Sequence, residues 1–278
     1  LTGRFEDAEW SAVEMAIASA VERGDSVLPG DDAPRHNVDQ SWKPPPRRAR
    51  GPPRANQERR VTWKVTIAYL GSAFSGFAWQ SSSALPTVEG CLQDAIRPLL
   101  DGRSEVRIEC AGRTDAGVSS LGQLVSFHSS PSLDESDLVD AIAEAAPTPG
   151  ALRVVRTRRM GRGYHATFST RWRRYCYLLP HPPSASRPQA EAEARRMASL
   201  LRCLEGEERD YQAFGRSVPE GKATTMRVLY ASAQLVEVPS TISDPAALVT
   251  RIDLVGDRFL RRQVRTLVAT ATALASTA

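Results

Sequence analysis

The sequence has little of what membrane-spanning, disulfide-rich or zinc-binding proteins need. No apolar run approaches the roughly 18 residues with which a helix crosses a bilayer. The four cysteines form no CxxC pair, which argues against a disulfide framework and against a zinc site. Cys91 and Cys110 stand in apolar patterns, so we expect core thiols in an intracellular, reducing compartment. Aromatic residues make up 6% of the chain, too few for the stacking platforms of a single-strand binder.

Nucleotide-binding loops are also missing. Residues 71–76 have the glycine spacing of a phosphate loop, but Phe77 and Ala78 stand where Lys and Ser or Thr are required. No GxGxxG segment follows a predicted strand, so a dinucleotide site is unsupported as well.

Positive charge is concentrated in one part of the chain. The formal net charge is +4, yet residues 151–190 contain nine arginines and no acid. Residues 1–34, in contrast, contain eight acids and two bases. So much like charge in one folded segment favours an anionic partner, with a solvated arginine-rich face as the alternative.

Residues 1–60 are predicted to be an extension of the folded protein. Apolar residues at helical spacing predict a short amphipathic helix over residues 9–23. Residues 41–60 contain five prolines and seven basic residues against one acid, so they cannot bury enough apolar surface to fold alone. We expect a basic extended arm that lies along phosphates or a partner's surface.

From residue 61 onward, strand and helix patterns follow one another without a regular βαβ repeat. The alternation of Trp63, Val65, Ile67 and Tyr69 predicts the first strand, and Thr87 is predicted to cap the first helix. Further strands are expected at 106–110, 124–127, 152–158, 175–179, 228–238 and 248–255. A capping box of Ser132 with Glu135 predicts the start of a second helix. Two further helices are expected over 191–204 and over 259–268. The pattern predicts an α+β fold of two similar halves, 61–150 and 151–278, with antiparallel sheets flanked by helices and joined around a basic central cleft.

The densest chemical signal is the segment 111–118, Ala-Gly-Arg-Thr-Asp-Ala-Gly-Val. A predicted strand ending at Cys110 leads into a turn bracketed by Gly112 and Gly117, which permit backbone angles that other residues resist. The turn presents Arg113 and Asp115 within two residues of each other. A lone aspartate in such a turn usually serves the turn itself, but the whole octapeptide is far more specific.

Residues 111–123 closely resemble the signature of TruA-type tRNA pseudouridine synthases, and other matches follow in the order of that family. They are Tyr69, Gly71 and residues 74–80 for its first strand and loop, 87–90 for its first helix start, 164–169 for its His-Ala-Arg-Phe segment, 174–177 for its Arg-x-Tyr element, 210–214 as a looser match, and 256–268 for its last motif. The resemblance covers about residue 61 to the end. It implies isomerisation of uridine to pseudouridine in structured RNA, with no metal or other cofactor.

The resemblance implies a role for four residues. The catalytic aspartate of the family falls on Asp115, and Arg113 matches the arginine that holds the target nucleotide out of its stack. Tyr175 matches the aromatic residue that packs against the uracil ring. Arg265 matches the basic residue that pairs with the catalytic carboxylate. The carboxylate serves either as a nucleophile or as the base that takes a sugar proton.

The remaining basic residues are expected to line the cleft and to bind phosphates. The candidates are Arg153, Arg156, Arg158, Arg171, Arg173, Arg174, Arg261 and Arg262. His128 and His165 receive no catalytic role from the resemblance, so we expect packing or RNA contact for both.

The sequence departs from the family at three places. Ser119 stands where the family usually has His, Thr167 stands where it usually has Arg, and relatives continue well past the last helix. We therefore expect that the second half is truncated at its end, or that a partner completes it. These departures keep an alternative open, in which the scaffold is an RNA-binding structural or assembly factor of a ribonucleoprotein particle such as a ribosome.

The expected partner is RNA, with tRNA favoured over ribosomal RNA, and no membrane. A homodimer is expected from the family, or a ribonucleoprotein partner that covers the end of the second half. The basic arm and the absent initiator methionine favour a mitochondrial or other organellar location and leave the cytoplasm and nucleus open.

Overall fold

The computed structural model describes residues 60–100, 105–238 and 247–277. The predicted helix over residues 9–23 lies outside the described residues, and so does the predicted basic arm over residues 41–60 except for Arg60. The described chain divides into two compact units, with the division between Thr170 and Arg171.

The first unit is built on a four-stranded antiparallel sheet. Its strands are β1 Val61–Tyr69, β2 Glu109–Cys110, β3 Ser120–Ser129 and β4 Leu152–Met160, in the order β2-β3-β1-β4. The predicted alternation of β1 is confirmed, because Trp63, Val65 and Ile67 are buried in the core of this unit. The second predicted strand is shorter than expected: Val106 and Ile108 are buried, but pairing with β3 begins only at Glu109.

Two helices cover the apolar face of this sheet, and a third short helix ends the unit. They are α1 Val88–Ile96, α2 Glu135–Glu144 and α3 Ala166–Ser169, with 3-10 turns at Gly71–Ala73 and Arg97–Leu99. Thr87 caps α1 as predicted, since its hydroxyl accepts a hydrogen bond from the Gly90 amide. The predicted capping role of Ser132 is wrong: α2 is capped by Asp134, whose carboxylate accepts from the Ser136 amide.

Strand β4 belongs to the first unit. It pairs with β1 along its length, from Thr62 opposite Met160 to Tyr69 opposite Leu152. The boundary expected from the sequence, between residues 150 and 151, would separate β4 from this sheet. The division after Thr170 instead keeps the sheet and α3 together.

The second unit is also built on a four-stranded antiparallel sheet. Its strands are β5 Arg173–Pro180, β6 Glu208–Asp210, β7 Thr225–Val238 and β8 Ala247–Gly256, in the order β5-β8-β7-β6. Ile252 and Leu254 of β8 are buried in the core of this unit, together with Val228 of β7. The α+β class with two antiparallel sheets, expected from the sequence, is confirmed.

Two helices contribute to the core of the second unit. They are α4 Arg187–Arg202 and α5 Gln263–Thr277, with a 3-10 turn at Gln212–Phe214. Helix α4 starts earlier than predicted, because Ser186 and Gln189 form a capping box and Pro188 occupies the first turn. The expected helical positions of Phe259 and Leu260 are wrong, since both residues precede α5. Arg262 has a φ of 60°, which is incompatible with a right-handed helix continuing through it.

The cysteines are free thiols in the structure, with Cys91 and Cys110 buried as predicted and Cys176 and Cys203 exposed. In the described part of the chain, no helix has both the length and the apolar composition to cross a bilayer.

Candidate active site

Asp115 lies in the loop between β2 and β3, and its side chain is half-buried. The loop begins with the Ala111 amide bonded to the Leu124 carbonyl at 2.8 Å. It closes with the Val118 amide bonded to the Asp115 carbonyl at 3.2 Å. Gly117 has a φ of +77° at the third position of this turn, a value that suits glycine and disfavours most other residues. Asp115 therefore opens a tight turn in the middle of this loop.

A second glycine-containing segment, residues 71–77, packs directly against the backbone of the Asp115 loop. A Cβ atom on Gly71 would lie 2.4 Å from the Val118 carbonyl carbon and 2.5 Å from that of Gly117. A Cβ atom on Gly76, whose φ is +103°, would lie 3.1 Å from the Thr114 carbonyl oxygen. These glycines are thus required for the close approach of two backbones. This role differs from that of the glycines in a phosphate loop.

Hydrogen bonds join the same two segments. The Phe77 amide donates to the Thr114 carbonyl at 3.1 Å, and the Gly71 amide donates to the Ser119 hydroxyl at 2.9 Å. The Tyr69 hydroxyl lies 2.9 Å from the Thr114 hydroxyl. The residues on both sides of Asp115 are consequently fixed to the end of β1 and to the segment that follows it.

Arg113 shares the loop with Asp115, and its side chain is exposed. The neighbouring Gly112 carbonyl accepts a hydrogen bond from the side-chain amide of Gln123, which is buried in β3. The backbone is therefore held next to Arg113, while the guanidinium itself extends into solvent. An arginine whose backbone is fixed and whose guanidinium is exposed is suited to contact a flexible ligand.

Tyr175 and Arg265 belong to the second unit. Tyr175 lies on β5 opposite Leu254, and its half-buried ring makes an edge-to-face contact with Phe259 at 5.2 Å. Arg265 is exposed in the first turn of α5, two residues after the fully buried Gln263. The carbonyl side-chain oxygen of Gln263 accepts from the Leu260 amide at 2.7 Å and so fixes the start of the helix. Tyr175 is thus positioned by its sheet and Arg265 by this anchored first turn.

Several cations share one face of the first sheet, the face opposite the core of that unit. Lys64 lies opposite Arg158, Thr66 lies opposite Arg156, and Ala68 lies opposite Arg153 on the adjacent strands β1 and β4. Across β1, Lys64 lies opposite Ser126 of β3 rather than opposite an acid. The predicted RNA-binding residues Arg153, Arg156 and Arg158 therefore form one basic face, and Lys64 extends it. Sequence reasoning missed Lys64, although its place in the period-2 pattern of β1 opposite the apolar residues was a usable signal.

The predicted RNA-binding arginines of the second unit have more varied surroundings. Arg174 is partly buried, and its Nε and Nη2 atoms each lie 2.9 Å from Oδ1 of Asp253. Arg251, which the sequence reading missed, donates to Oδ2 of the same carboxylate at 2.8 Å. Arg173 donates to the Asp257 carbonyl at 2.6 Å, while Arg171, Arg261 and Arg262 are exposed. The structure therefore places Arg174 in a buried ionic cluster instead of on an open surface.

Comparison with known proteins identifies the family. The family model described as tRNA pseudouridine synthase matches residues 65–168. A protein of Neisseria gonorrhoeae (strain NCCP11945) named tRNA pseudouridine synthase A is 30% identical over 217 residues, which cover 74% of this chain and 75% of that protein. The chain belongs to the tRNA pseudouridine synthase family.

Other members of the tRNA pseudouridine synthase family match shorter segments. A tRNA pseudouridine synthase A of Photorhabdus laumondii is 30% identical over 174 residues, which cover 59% of this chain and 62% of that protein. One from Methylacidiphilum infernorum is 36% identical over 123 residues, 44% of this chain and 46% of that protein. The chain thus spans between about half and three quarters of the length of these relatives. A solved structure of an unknown protein from Galdieria sulphuraria matches 78% of the chain at 13% identity. Its TM-score of 0.21 is too low to indicate a shared fold.

Two departures from the tRNA pseudouridine synthase pattern have structural roles here. Ser119, in place of the usual His, accepts the hydrogen bond from the Gly71 amide. Thr167, in place of the usual Arg, donates from its hydroxyl to the Cys110 carbonyl at 2.7 Å. At both positions, where the resemblance led us to expect a longer side chain, a short hydroxyl bonds the backbone beside the Asp115 loop.

Proposed function

We propose that this chain isomerises uridine to pseudouridine in structured RNA, with tRNA as its substrate class and Asp115 as its catalytic residue. Membership of the tRNA pseudouridine synthase family supports the activity, and the relatives that match the chain bear that name. The observation that carries the assignment of Asp115 is its position at the start of a tight turn fixed to β1 and to residues 71–77. Such a turn presents one carboxylate from a backbone that cannot easily move.

The reaction requires one bond to break and another to form on the same base. The N1–C1′ glycosidic bond is cleaved, the detached uracil turns, and C5 joins C1′. The hydrogen on C5 leaves as a proton, and N1 gains a proton, so that the product is an isomer of uridine. Asp115 serves either by attacking the sugar or by taking a proton from it, and a single ionised carboxylate suffices for both routes.

The proposed substrate contacts are shared among three residues. Arg113 binds the nucleotide held out of its stack, because an exposed guanidinium can pair with phosphate and stack on a base. Tyr175 packs against the uracil, and its contact with Phe259 fixes the ring for that purpose. The resemblance to the family leads us to propose Arg265 as the basic partner of the Asp115 carboxylate.

The basic face of Lys64, Arg153, Arg156 and Arg158 is proposed to hold the phosphates of the bound RNA. Four cations on adjacent strands match a polyanion, and the register places them on one side of the sheet. The exposed arginines Arg171, Arg261 and Arg262 are proposed to contribute further phosphate contacts.

The test is the turnover of RNA that carries tritium at C5 of uridine. Isomerisation releases that tritium to water, so its release counts pseudouridine formation directly. Purified wild-type protein is expected to release tritium from tRNA, and Asp115→Asn is expected to release none while binding RNA with an affinity within about threefold of wild type. The amide keeps the shape of the side chain and removes the reacting charge.

Retained turnover by Asp115→Asn would defeat the assignment of the catalytic residue. A wild-type protein that binds tRNA tightly without releasing tritium would instead favour the alternative function, an RNA-binding structural or assembly factor.

A further inference from the structure

The hydroxyl of Tyr69 reaches the residue next to the proposed catalytic aspartate. Tyr69 is the last residue of β1, and its hydroxyl lies 2.9 Å from that of Thr114, which is 45 residues further along the chain. We propose that Tyr69 is a positioning residue, which holds the Asp115 loop through Thr114 and so places the carboxylate for reaction. This inference rests on the proposed function and deepens it.

Tyr69 is well placed to act as a fixed point. Its side chain is 1% exposed, and its ring makes an edge-to-face contact with Phe74 at 6.0 Å. Its backbone pairs on both sides, with Ser120 of β3 and Leu152 of β4. A tyrosine packed in this way at the end of an inner strand loses little further freedom when its hydroxyl forms a hydrogen bond.

The burial of Tyr69 also excludes a direct role in chemistry. A side chain that is 1% exposed cannot touch a nucleotide, so an effect of the hydroxyl on the reaction must act through the residues that it contacts. Its contact on the loop side is Thr114, whose backbone leads directly to Asp115. Tyr69 is therefore a positioning residue and not a catalytic one.

Thr114 is held at two atoms from two different segments. Its hydroxyl meets Tyr69, and its carbonyl accepts from the Phe77 amide at 3.1 Å. With the side chain and the carbonyl both restrained, rotation of the peptide unit that joins Thr114 to Asp115 is restricted. Loss of the Tyr69 hydroxyl removes one of the two restraints, and a displacement of about 1 Å at a reacting group can cost roughly 100-fold in rate.

The experiment measures single-turnover tritium release, RNA affinity and thermal stability for a set of variants. Tyr69→Phe and Thr114→Val each remove one hydroxyl of the pair, and Thr114→Ser keeps a hydroxyl at the same atom. We expect Tyr69→Phe and Thr114→Val to slow the single-turnover rate by roughly 10- to 100-fold with RNA affinity within about threefold of wild type. Thr114→Ser is expected to restore most of the rate.

The double variant Tyr69→Phe/Thr114→Val tests whether the two hydroxyls act together. If they act as one hydrogen bond, the double variant is no slower than the slower single variant. A double variant slowed by the product of the two single effects would overturn the proposal, because the hydroxyls would then act independently. A wild-type rate in Tyr69→Phe would overturn it as well.

Tyr211→Phe is the matched control for the loss of a buried tyrosine hydroxyl. Tyr211 is 2% exposed in the core of the second unit, and among the described residues its hydroxyl has no hydrogen-bond partner. We expect this variant to retain the wild-type rate. A loss of rate in Tyr211→Phe equal to that in Tyr69→Phe would show a general effect on the fold and overturn the positioning role.

Amide hydrogen exchange separates this inference from the proposed function. Tyr69→Phe is expected to speed exchange at the amides of Phe77 and Val118, which bond to the carbonyls of Thr114 and Asp115, and to leave exchange at Val65 unchanged. Unchanged exchange at Phe77 and Val118 would overturn the positioning role. A wild-type protein without turnover would overturn the proposed function, while the exchange rates would still decide whether Tyr69 orders the loop.

Discussion

Lys64 and Arg158 lie directly opposite each other on the adjacent strands β1 and β4, although both carry positive charge. Like charges at opposite positions of a sheet repel each other and destabilise the pair. The arrangement costs stability in the free protein, and a bound polyanion that contacts both side chains would offset this cost. The proposed binding of RNA phosphates by this pair would therefore stabilise the first unit.

We predict that Arg158→Gln weakens RNA binding and does not weaken the fold. At low salt the free energy of unfolding should stay the same or rise by about 0.2–1 kcal/mol, because the repulsion with Lys64 is removed. RNA affinity should fall, and the slope of log affinity against log salt concentration should decrease by about one. Denaturant unfolding and RNA titrations at several salt concentrations measure these effects.

Arg195→Gln is the matched control for this change. Arg195 lies on α4 of the second unit, where it is largely exposed and its Nη1 atom lies 3.7 Å from Glu191. It is expected to alter neither the salt slope nor the activity. Equal losses of RNA affinity in both variants would show that only the total charge matters, and the basic face would lose its assignment.

We predict that Gly71→Ala reduces turnover at least 100-fold, an effect on the order of that expected from displacing a reacting group by about 1 Å. The new Cβ atom would lie 2.4 Å from the Val118 carbonyl carbon, so one of the two backbones must move. The atoms nearest to the new Cβ atom belong to the Asp115 loop, so we expect the loop to move. Its displacement would move the Asp115 carboxylate away from the position required for reaction. Single-turnover tritium release measures the effect.

Gly161→Ala is the matched control for the change at Gly71. A Cβ atom on Gly161 meets nothing within 4 Å among the described residues, and its φ lies outside the left-handed region. It should retain the wild-type rate and melting temperature. If Gly71→Ala behaves like Gly161→Ala, the close packing of residues 71–77 on the loop has no influence on the reaction.

We predict that His181 makes the second unit less stable in mild acid. Burial lowers the pKa of His181, Glu193 partly opposes this effect, and one ring nitrogen lies 2.7 Å from the Thr250 hydroxyl. The folded imidazole therefore binds a proton less readily than the unfolded one. Its contribution to stability is full above the ordinary pKa of about 6.5 and is lost as the pH falls from there towards the lowered folded pKa.

His181→Gln should show a smaller loss of stability on acidification than the wild type. Urea unfolding between about pH 7.5 and pH 5.5 measures the difference, which spans the ordinary pKa of histidine. An identical pH dependence in both proteins would show that another group controls the acid response.

Local signals in the sequence were sufficient to predict the longer elements of the fold, whereas the short elements β6 and α3 were not predicted. Trp63, Val65 and Ile67 alternate as a half-buried strand does, and Thr87 is a helix cap whose partner is only three residues away. Asp134 was missed in favour of Ser132 because both are good capping residues, and the choice depends on which one precedes the first helical turn. Phe259 and Leu260 kept the helical spacing of α5, but the positive φ of Arg262 cannot be read from an arginine.

Contacts between distant segments could not be predicted in this way. Asp115 was found because the residues of its loop are consecutive, so the motif carries the whole signal. The hydrogen bond between the hydroxyls of Tyr69 and Thr114 joins residues 45 positions apart, at a place where residues 71–77 pack on the loop. The ionic cluster of Arg174, Arg251 and Asp253 likewise depends on the register of β5 and β8. The number of arginines in the sequence does not show that the charge of Arg174 is paired with Asp253.

Helix α3 ties the end of the first unit to β2 and β3, the strands on either side of the Asp115 loop. The Ala166 amide bonds to the Ser126 hydroxyl at 2.9 Å, and the Thr167 hydroxyl bonds to the Cys110 carbonyl at 2.7 Å. A pull on the connecting peptide after Thr170 would thus be transmitted to Cys110, five residues before Asp115. Force applied at this linker would reach β2 through the hydroxyl of Thr167 and β3 through the amide of Ala166.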